Sequence, residues 1–344
     1  MTKAVYKLRN WGEYNKSLIN RGSINLWISD DLVKGWFYKR PSNIRKVKRK
    51  SGRSFIYSDK AIELCLTIRS IFKLNLRMTQ GFLSSLFPKI GYSCDLVRCP
   101  NYTTMSRRGG KLKAKLKRYQ NKGFATDIAI DSTGIKVYGE GEWKTRQHGV
   151  GRRRKWRKFH IGIDPISHEV LAQEVTNSNI MDDQIFPNLI NQAHEKIERV
   201  LGDGAYDRIS CYDICHDKNI MAIIPPQRNA LLQDEMQQQV KRKDSRRLRD
   251  ANIRQIRKLT KPAQNAEELL KNQEQARKIW KIEADYHSRS VVETAMFRFK
   301  QIFGDKFLSR EFSNQKVEML IKTNILNKFT KLGMPDSYPI YKQS

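Results

Sequence analysis

Apolar residues recur every three or four positions through the first third of the chain, and close to every second position after residue 124. Residues 1–122 therefore read as a helical region. Ser58 and Asp59 cap a predicted helix, KAIELCLTIRSIF, apolar at Ile62, Cys65, Leu66 and Phe72. LRMTQGFLSSLF is predicted as a second helix closed by Pro88, and Pro100 opens a third, NYTTMSRRGGKLKAKL. Three short helices, the last rich in Thr, Ser and Arg, suggest a helix-turn-helix-like unit. RKVKRKSGR (45–53) reads as a solvated basic loop or arm.

From residue 124 the pattern is that of short strands. DIAIDSTGIKVY predicts two, Asp127 to Asp131 and Ile135 to Tyr138, around a turn at Ser132 to Gly134. FHIGID and VLAQEV alternate around PISHE as a hairpin, and DDQIFPNLINQAHEKI follows as an amphipathic helix. ERVLGDGAYD is a strand running into a glycine turn, RISCYDICHDKN a helix and IMAIIPP a strand. Antiparallel runs followed by an alternation of helix and strand give a mixed sheet with helices, an α/β class, not a sandwich. Residues 227–281 are polar and rich in Gln, Lys and Arg, with too few apolar residues for a core of their own, and read as a helical insertion or an arm ordered on a partner. KVEMLIKTNILNKF reads as a closing helix. The expected division is 1–122, 123–226, 227–281, 282–333 and a tail, 334–344.

Composition narrows the partner. Sixty-six Lys and Arg against 35 Asp and Glu leave a formal charge of +31 over 344 residues. A field of that sign points to a polyanion, nucleic acid first, and places Thr103, Thr104, Arg107 and Arg108 of the third helix on DNA. An ordinary helical bundle with a charged exterior explains the same residues. No stretch approaches the roughly 18 to 20 apolar residues of a membrane span, and MTKAVYKLRNWGEYNK lacks the apolar run of a signal peptide. The expected place is the cytoplasm, beside the nucleoid. Five cysteines form no CxxC pair. Cys211, Cys215 and His216 lack a second pair to close a zinc site, so buried reduced thiols are expected. In the link 143–158, Trp143 and Trp156 flank Arg152, Arg153, Arg154 and Lys155. Interleaved aromatics and cations suit a DNA strand, although a solvated loop with its tryptophans turned inward is the alternative.

Candidate chemistry lies in three acids. Asp131 ends the run IAI, and Asp203 follows RVLG, each at the C-terminal end of an apolar strand where a ligand is readily met. An Arg could equally satisfy either one. The third is Glu293, within YHSRSVVETAMFRFK (286–300). With Arg289 at zero on a helical wheel, Glu293 falls near about 40°, Lys300 near about 20° and Tyr286 near about 60°. Val292, Ala295, Met296, Phe299, Ile302 and Phe303 fall between about 220° and 340°, on an adjacent core face. Arg289 and Glu293 could be a simple i,i+4 pair. Joined to the two aspartates, Glu293 instead completes an all-oxygen set suited to Mg²⁺ or Mn²⁺. Two such ions promote in-line phosphoryl displacement, with Arg289, Lys300 and Tyr286 beside the phosphates.

These residues carry a resemblance. AIDSTGIKVYGEGEW around Asp131, VLGDGAYD around Asp203, and Tyr286-x2-Arg289-x3-Glu293-x6-Lys300 resemble the DDE insertion-sequence transposases, in particular the insertion-sequence-five group of the insertion-sequence-four-like clan and its Y-R-E-K signature. NWGEYNKSLINRGSINLWI and IPPQRNA also look like that group. The resemblance implies a ribonuclease H-like mixed-sheet catalytic core with a helical insertion between the second Asp and the Glu, preceded by a helical DNA-binding region. It implies Asp131, Asp203 and Glu293 as catalytic and metal-binding, with two Mg²⁺ or Mn²⁺ ions, and Tyr286, Arg289 and Lys300 as contacts to end DNA. It further implies double-stranded DNA, transposon ends and target, as partner, and a homodimer or larger assembly. An aromatic in the insertion stacks on a flipped base in some relatives; Trp280 is not assigned that role. A non-joining nuclease of the same fold and a silent DNA-binding repressor are the alternative functions.

Overall fold

The computed structural model describes residues 5–38, 56–93, 95–119, 127–137, 156–193, 196–235 and 244–340. The chain divides into two compact units: residues 1–119 with 307–344, and residues 120–306.

The first unit is helical. It contains α1 (Trp11–Asn20), α2 (Asp30–Lys34), α3 (Asp59–Ile71), α4 (Leu76–Lys89), α5 (Tyr102–Gly109) and, from the far end of the chain, α11 (Phe312–Leu332). Strands β1 (Val5–Leu8) and β7 (Ser337–Ile340) pair antiparallel. Ser58 caps α3 as expected, accepting from the Ala61 N–H. Pro88 sits inside the last turn of α4. The third helix is shorter than expected, stopping at Gly109. The lysine-rich segment beyond it runs along α11, where Asn324 and Asn327 hydrogen-bond the backbone of Lys115 and Lys117. Those asparagines satisfy the backbone groups a helix would otherwise pair. The helix expected to close the α/β core, α11, thus belongs with the N-terminal helices. It is buried nearly all round, from Val317 to Thr330.

The second unit holds a five-stranded sheet in the order β4-β3-β2-β5-β6. These are β2 (Asp127–Lys136), β3 (Trp156–Ile163), β4 (Val170–Asn177), β5 (Arg199–Leu201) and β6 (Met221–Ile223). β2, β3 and β4 are antiparallel neighbours, while β5 runs parallel to β2 and to β6. The sheet is therefore mixed, and β2 is central. β2 is one continuous strand, correcting the expected turn at Ser132 to Gly134. Its pairing with β3 supplies hydrogen bonds throughout, and Gly134 leaves room for the Trp156 ring, which would lie 3.1 Å from an added Cβ.

Alternation along β2 sorts its side chains to two faces. Ile128 and Ile130 join Leu171, Ala172 and Val200 under α6 (Asp182–Gln192) and α7 (Ile209–Asp217). The other face is covered by α10 (Ser290–Phe303) through Val292, Ala295 and Phe299, whose ring meets Phe159 at 5.1 Å. The expected insertion is packed rather than an extended arm among its described residues: α8 (Arg246–Leu259) and α9 (Ala266–Glu283) form a hairpin on β6 and α7. Asn252 donates to the Ala222 carbonyl, and Arg249 pairs with buried Asp207 at 2.8 Å. Its polar composition serves internal bonds, which a count of apolar residues misses.

Candidate active site

Asp131, Asp203, Glu293, Tyr286, Arg289 and Lys300 all belong to the second unit. Parallel pairing of the first residues of β2 with β5, Ala129 opposite Leu201, sets Asp131, in the middle of β2, near Asp203 just past the end of β5. Asp131 lies on the α10 face of β2. Its Oδ1 accepts from the Ser132 N–H at 2.7 Å. Asp203 follows β5 and caps a 3-10 turn, Gly204–Tyr206, its Oδ1 accepting from Ala205 N–H at 2.9 Å. Gly202 permits that turn, since an added Cβ would stand 3.1 Å from the Tyr206 ring.

Glu293 arrives from α10. The segment before it is not the continuous helix of the wheel. Asp285 adopts a left-handed backbone, φ +52°, and ends α9; Tyr286–Arg289 is a 3-10 turn; α10 begins at Ser290. The join is pinned by Arg199, which binds Asp127 of β2 through two nitrogens and approaches Asp285 at 3.5 Å. On that turn Tyr286 stays close enough to Arg289, Asp203 and Asp131 to share their electrostatics. It is only 9% exposed, with Trp280 at 6.2 Å. Lys281 lies over its ring at 5.2 Å and Arg289 at 5.8 Å.

Arg289 joins the acids. One nitrogen donates to Asp131 Oδ2 at 3.0 Å, the other to Glu293 Oε1 at 2.5 Å. Both alternative pairings of the sequence reading, Arg with Asp131 and Arg with Glu293, are thus made by one guanidinium. Its side chain is 15% exposed, against 20% for Asp131 and 58% for Glu293. Lys300 lies further along α10 and donates to Thr133 Oγ1 at 2.6 Å, two residues beyond Asp131 on the same strand face. Thr133 was not singled out by sequence, although its i,i+2 spacing from Asp131 on a strand is the signal that finds it.

Electrostatics couple the group. Burial pushes the Asp131 carboxyl up; Ser132 N–H and Arg289 pull it down, and Asp203 adds an upward push. Burial also raises the Tyr286 phenol, with Asp203 and Asp131 adding to the rise and Arg289 opposing it. For Arg289, burial works downward, but Tyr286, Asp131 and Glu293 hold the pKa above its ordinary value. Behind β2, on the α6 side, the buried Tyr206 phenol is pushed far up by burial and by Asp182, Asp131 and Asp203. Sequence reading also missed that side: His160 of β3 contacts Thr176 of β4 at 2.9 Å and Asp182 of α6 at 3.4 Å.

The donor set of Asp131, Asp203 and Glu293 is all oxygen and suits a hard divalent ion. Among the described residues no three acids, histidines or cysteines are gathered closely enough to hold one. A cation does stand between two of the acids, the Arg289 guanidinium, so the charge fits a metal while the present arrangement is closed around arginine. Cys211 and Cys215, expected as buried thiols, lie buried in the α6–α7 core, and His216 is exposed.

The other expected DNA contacts divide. Arg107 is exposed and donates to Thr103 O of its own helix. Arg108 donates to the Tyr57 carbonyl and to Asp59. Arg152, Arg153 and Arg154 lie outside the described residues. Trp156 of the same link lies in β3, with Lys136 over its ring at 5.6 Å. No helix among the described residues is long and apolar enough to cross a membrane.

Comparison with known families gives two matches. A family model described as Transposase DDE domain covers residues 122–328, more than half of the chain. A second with the same description covers residues 19–140.

Proposed function

The chain belongs to the transposase DDE domain family, and on that premise we propose that it is the DNA transposase of an insertion sequence of the insertion-sequence-five group. It binds terminal inverted repeats, cleaves phosphodiester bonds and joins the freed 3′ ends to target DNA. The observation that carries the reading is the meeting of Asp131 and Glu293, distant in sequence, at one guanidinium, with Asp203 close enough to shift Asp131. The strand order, three antiparallel strands followed by two parallel ones, supports a ribonuclease H-like core.

Asp131, Asp203 and Glu293 would hold two Mg²⁺ or Mn²⁺ ions. When bound, these supply Lewis acidity and activation of the attacking water or 3′ hydroxyl. The remaining residues handle the phosphates. Lys300, braced by Thr133, offers an ammonium beside the acids. Arg289 offers a planar fork matched to phosphate oxygens. Tyr286, packed on Trp280 with Arg289 over its ring, steadies the guanidinium and brings its phenol to the DNA as a third end contact. Arg107 of the first unit and, separately, the basic link holding Arg152, Arg153 and Arg154 supply further cations for DNA phosphates. Two ends must be held together, so the active form is an assembly, a dimer at its simplest.

The test is cleavage and strand transfer on a duplex carrying the element's terminal repeat. Asp131→Asn, Asp203→Asn and Glu293→Gln are each expected to lower both steps by more than about a hundredfold, since even residues one shell out from a metal cost 10 to 100-fold. End binding should survive. Near-normal cutting by any one of them removes that residue from the site, and cutting without joining of a pre-cut 3′ end makes the chain a nuclease.

A further inference from the structure

Both oxygens of Asp131 are already engaged. Oδ1 takes the Ser132 N–H at 2.7 Å and Oδ2 takes Arg289 at 3.0 Å. Glu293 Oε1 takes the second Arg289 nitrogen at 2.5 Å. A divalent ion on Asp131 stands about 2 Å from a carboxylate oxygen, so ion and guanidinium would crowd one small anionic space and repel. The two cations therefore exclude each other from these acids. The route out is short, because the Glu293 side chain is 58% exposed while the Tyr286 ring closes the inner side.

We propose that Arg289 is an exchangeable cation: it neutralises Asp131 and Glu293 in the metal-free protein, is displaced when a divalent ion binds, and then takes a phosphate of bound DNA. The inference rests on the proposed reading of the three acids and goes beyond it, by making metal and DNA binding cooperative through one side chain. Arg suits this exchange because its fork fits a carboxylate pair and a phosphate equally well. A first binder that prepares the site for a second is positive coupling, and linkage makes it reciprocal.

The experiment uses the full chain and no cleavage. Mn²⁺ affinity is measured calorimetrically without DNA for wild type, Arg289→Ala and Arg289→Lys, with folding checked by circular dichroism. Arg289→Ala should bind Mn²⁺ about tenfold more tightly, since no charge-assisted bonds have to break. Arg289→Lys, which cannot span both acids, should fall between. Duplex affinity is then measured by fluorescence anisotropy with Ca²⁺ and with EDTA at equal ionic strength. Wild type should gain about tenfold from Ca²⁺, and Arg289→Ala clearly less. If Arg289→Ala does not fold, side-chain ¹⁵N spectra of wild-type arginines serve instead, and the Arg289 signal should move on Mn²⁺ addition. Unchanged or weaker Mn²⁺ affinity in folded Arg289→Ala, an equal Ca²⁺ gain in both proteins, or a stationary Arg289 signal overturns the exchange. Metal affinity that responds as expected in a chain that cuts no DNA keeps the exchange and removes the transposase reading. Cutting and joining with unresponsive metal affinity does the reverse.

Discussion

Tyr286 shows how one residue's surroundings give it a packing task beside a proposed DNA contact. Its spacing from Arg289 and Glu293 placed it on a shared polar face; on its 3-10 turn it stays beside Arg289 and the two aspartates while only 9% of it is exposed. Trp280 packs on it, and is itself fixed by an Nε1 bond to Gln255 at 3.0 Å. Removing such a ring leaves a cavity under Arg289 as well as lost burial. Tyr286→Ala should therefore lower unfolding free energy by about 3 kcal/mol, at the lower end for aromatic truncation. Tyr286→Phe should stay within about 1 kcal/mol of wild type, because the ring packing persists. Urea denaturation of the two variants decides the matter. An alanine variant as stable as wild type would mean the ring is not a support, and a phenylalanine variant with weak end binding would place the hydroxyl on DNA.

Elements bring this site together, and their legibility was uneven for physical reasons. The β3–β4 hairpin, α3 and α6 follow from alternation and helical spacing, because each buries one face. The single strand β2 did not, since Ser132, Thr133 and Gly134 carry turn propensity that pairing with β3 overrides. Asp131 was legible as a strand acid, although it sits mid-strand rather than at an end, and Glu293 as a helix acid, whereas the left-handed break at Asp285 leaves no trace on a helical wheel. The cluster where β3, β4 and α6 converge was missed altogether, because its members are far apart in sequence. There His160 is fully buried, and burial pulls its pKa down to about 4, with Lys158 helping and Asp182 and Glu174 opposing. The unfolded chain takes up a proton near pH 6.5 that the folded chain refuses until about pH 4. Stability from this group is thus complete above pH 6.5 and falls as pH drops through that window, by about 3 kcal/mol at most. His160→Gln should flatten the loss of melting temperature between pH 7 and pH 4.5 relative to wild type. Parallel acid limbs in the two proteins would show that His160 does not titrate in folding.

At the scale of the whole chain, the +31 charge hides how carefully some cations are neutralised. The first unit is assembled from both chain ends, with α11 against α3 and α5, and its most deeply buried charges lie on α11. Glu318 accepts from the Leu308 and Ser309 N–H groups, each at 2.9 Å, and from Lys322 at 2.7 Å. Arg69 of α3 meets the same loop, donating to Leu308 O and Ser309 Oγ. Burial alone would raise the Glu318 carboxyl, but Lys322, the Leu308 N–H and Arg69 hold it below its ordinary value. This carboxylate therefore fixes the loop that leads from residue 307 into α11. Glu318→Gln keeps the size but removes the charge, leaves one loop N–H without its acceptor, and strands Lys322, which is 1% exposed. The expected cost is about 3 to 5 kcal/mol, the range for breaking one side of a buried pair. Adding Lys322→Met should recover a large part, because the stranded ammonium, not the lost attraction, dominates that cost. Chemical denaturation of the single and double variants separates the two terms. A single variant within about 1 kcal/mol of wild type, or a double variant no better than the single, would mean that the pair does not hold the two ends of the chain together.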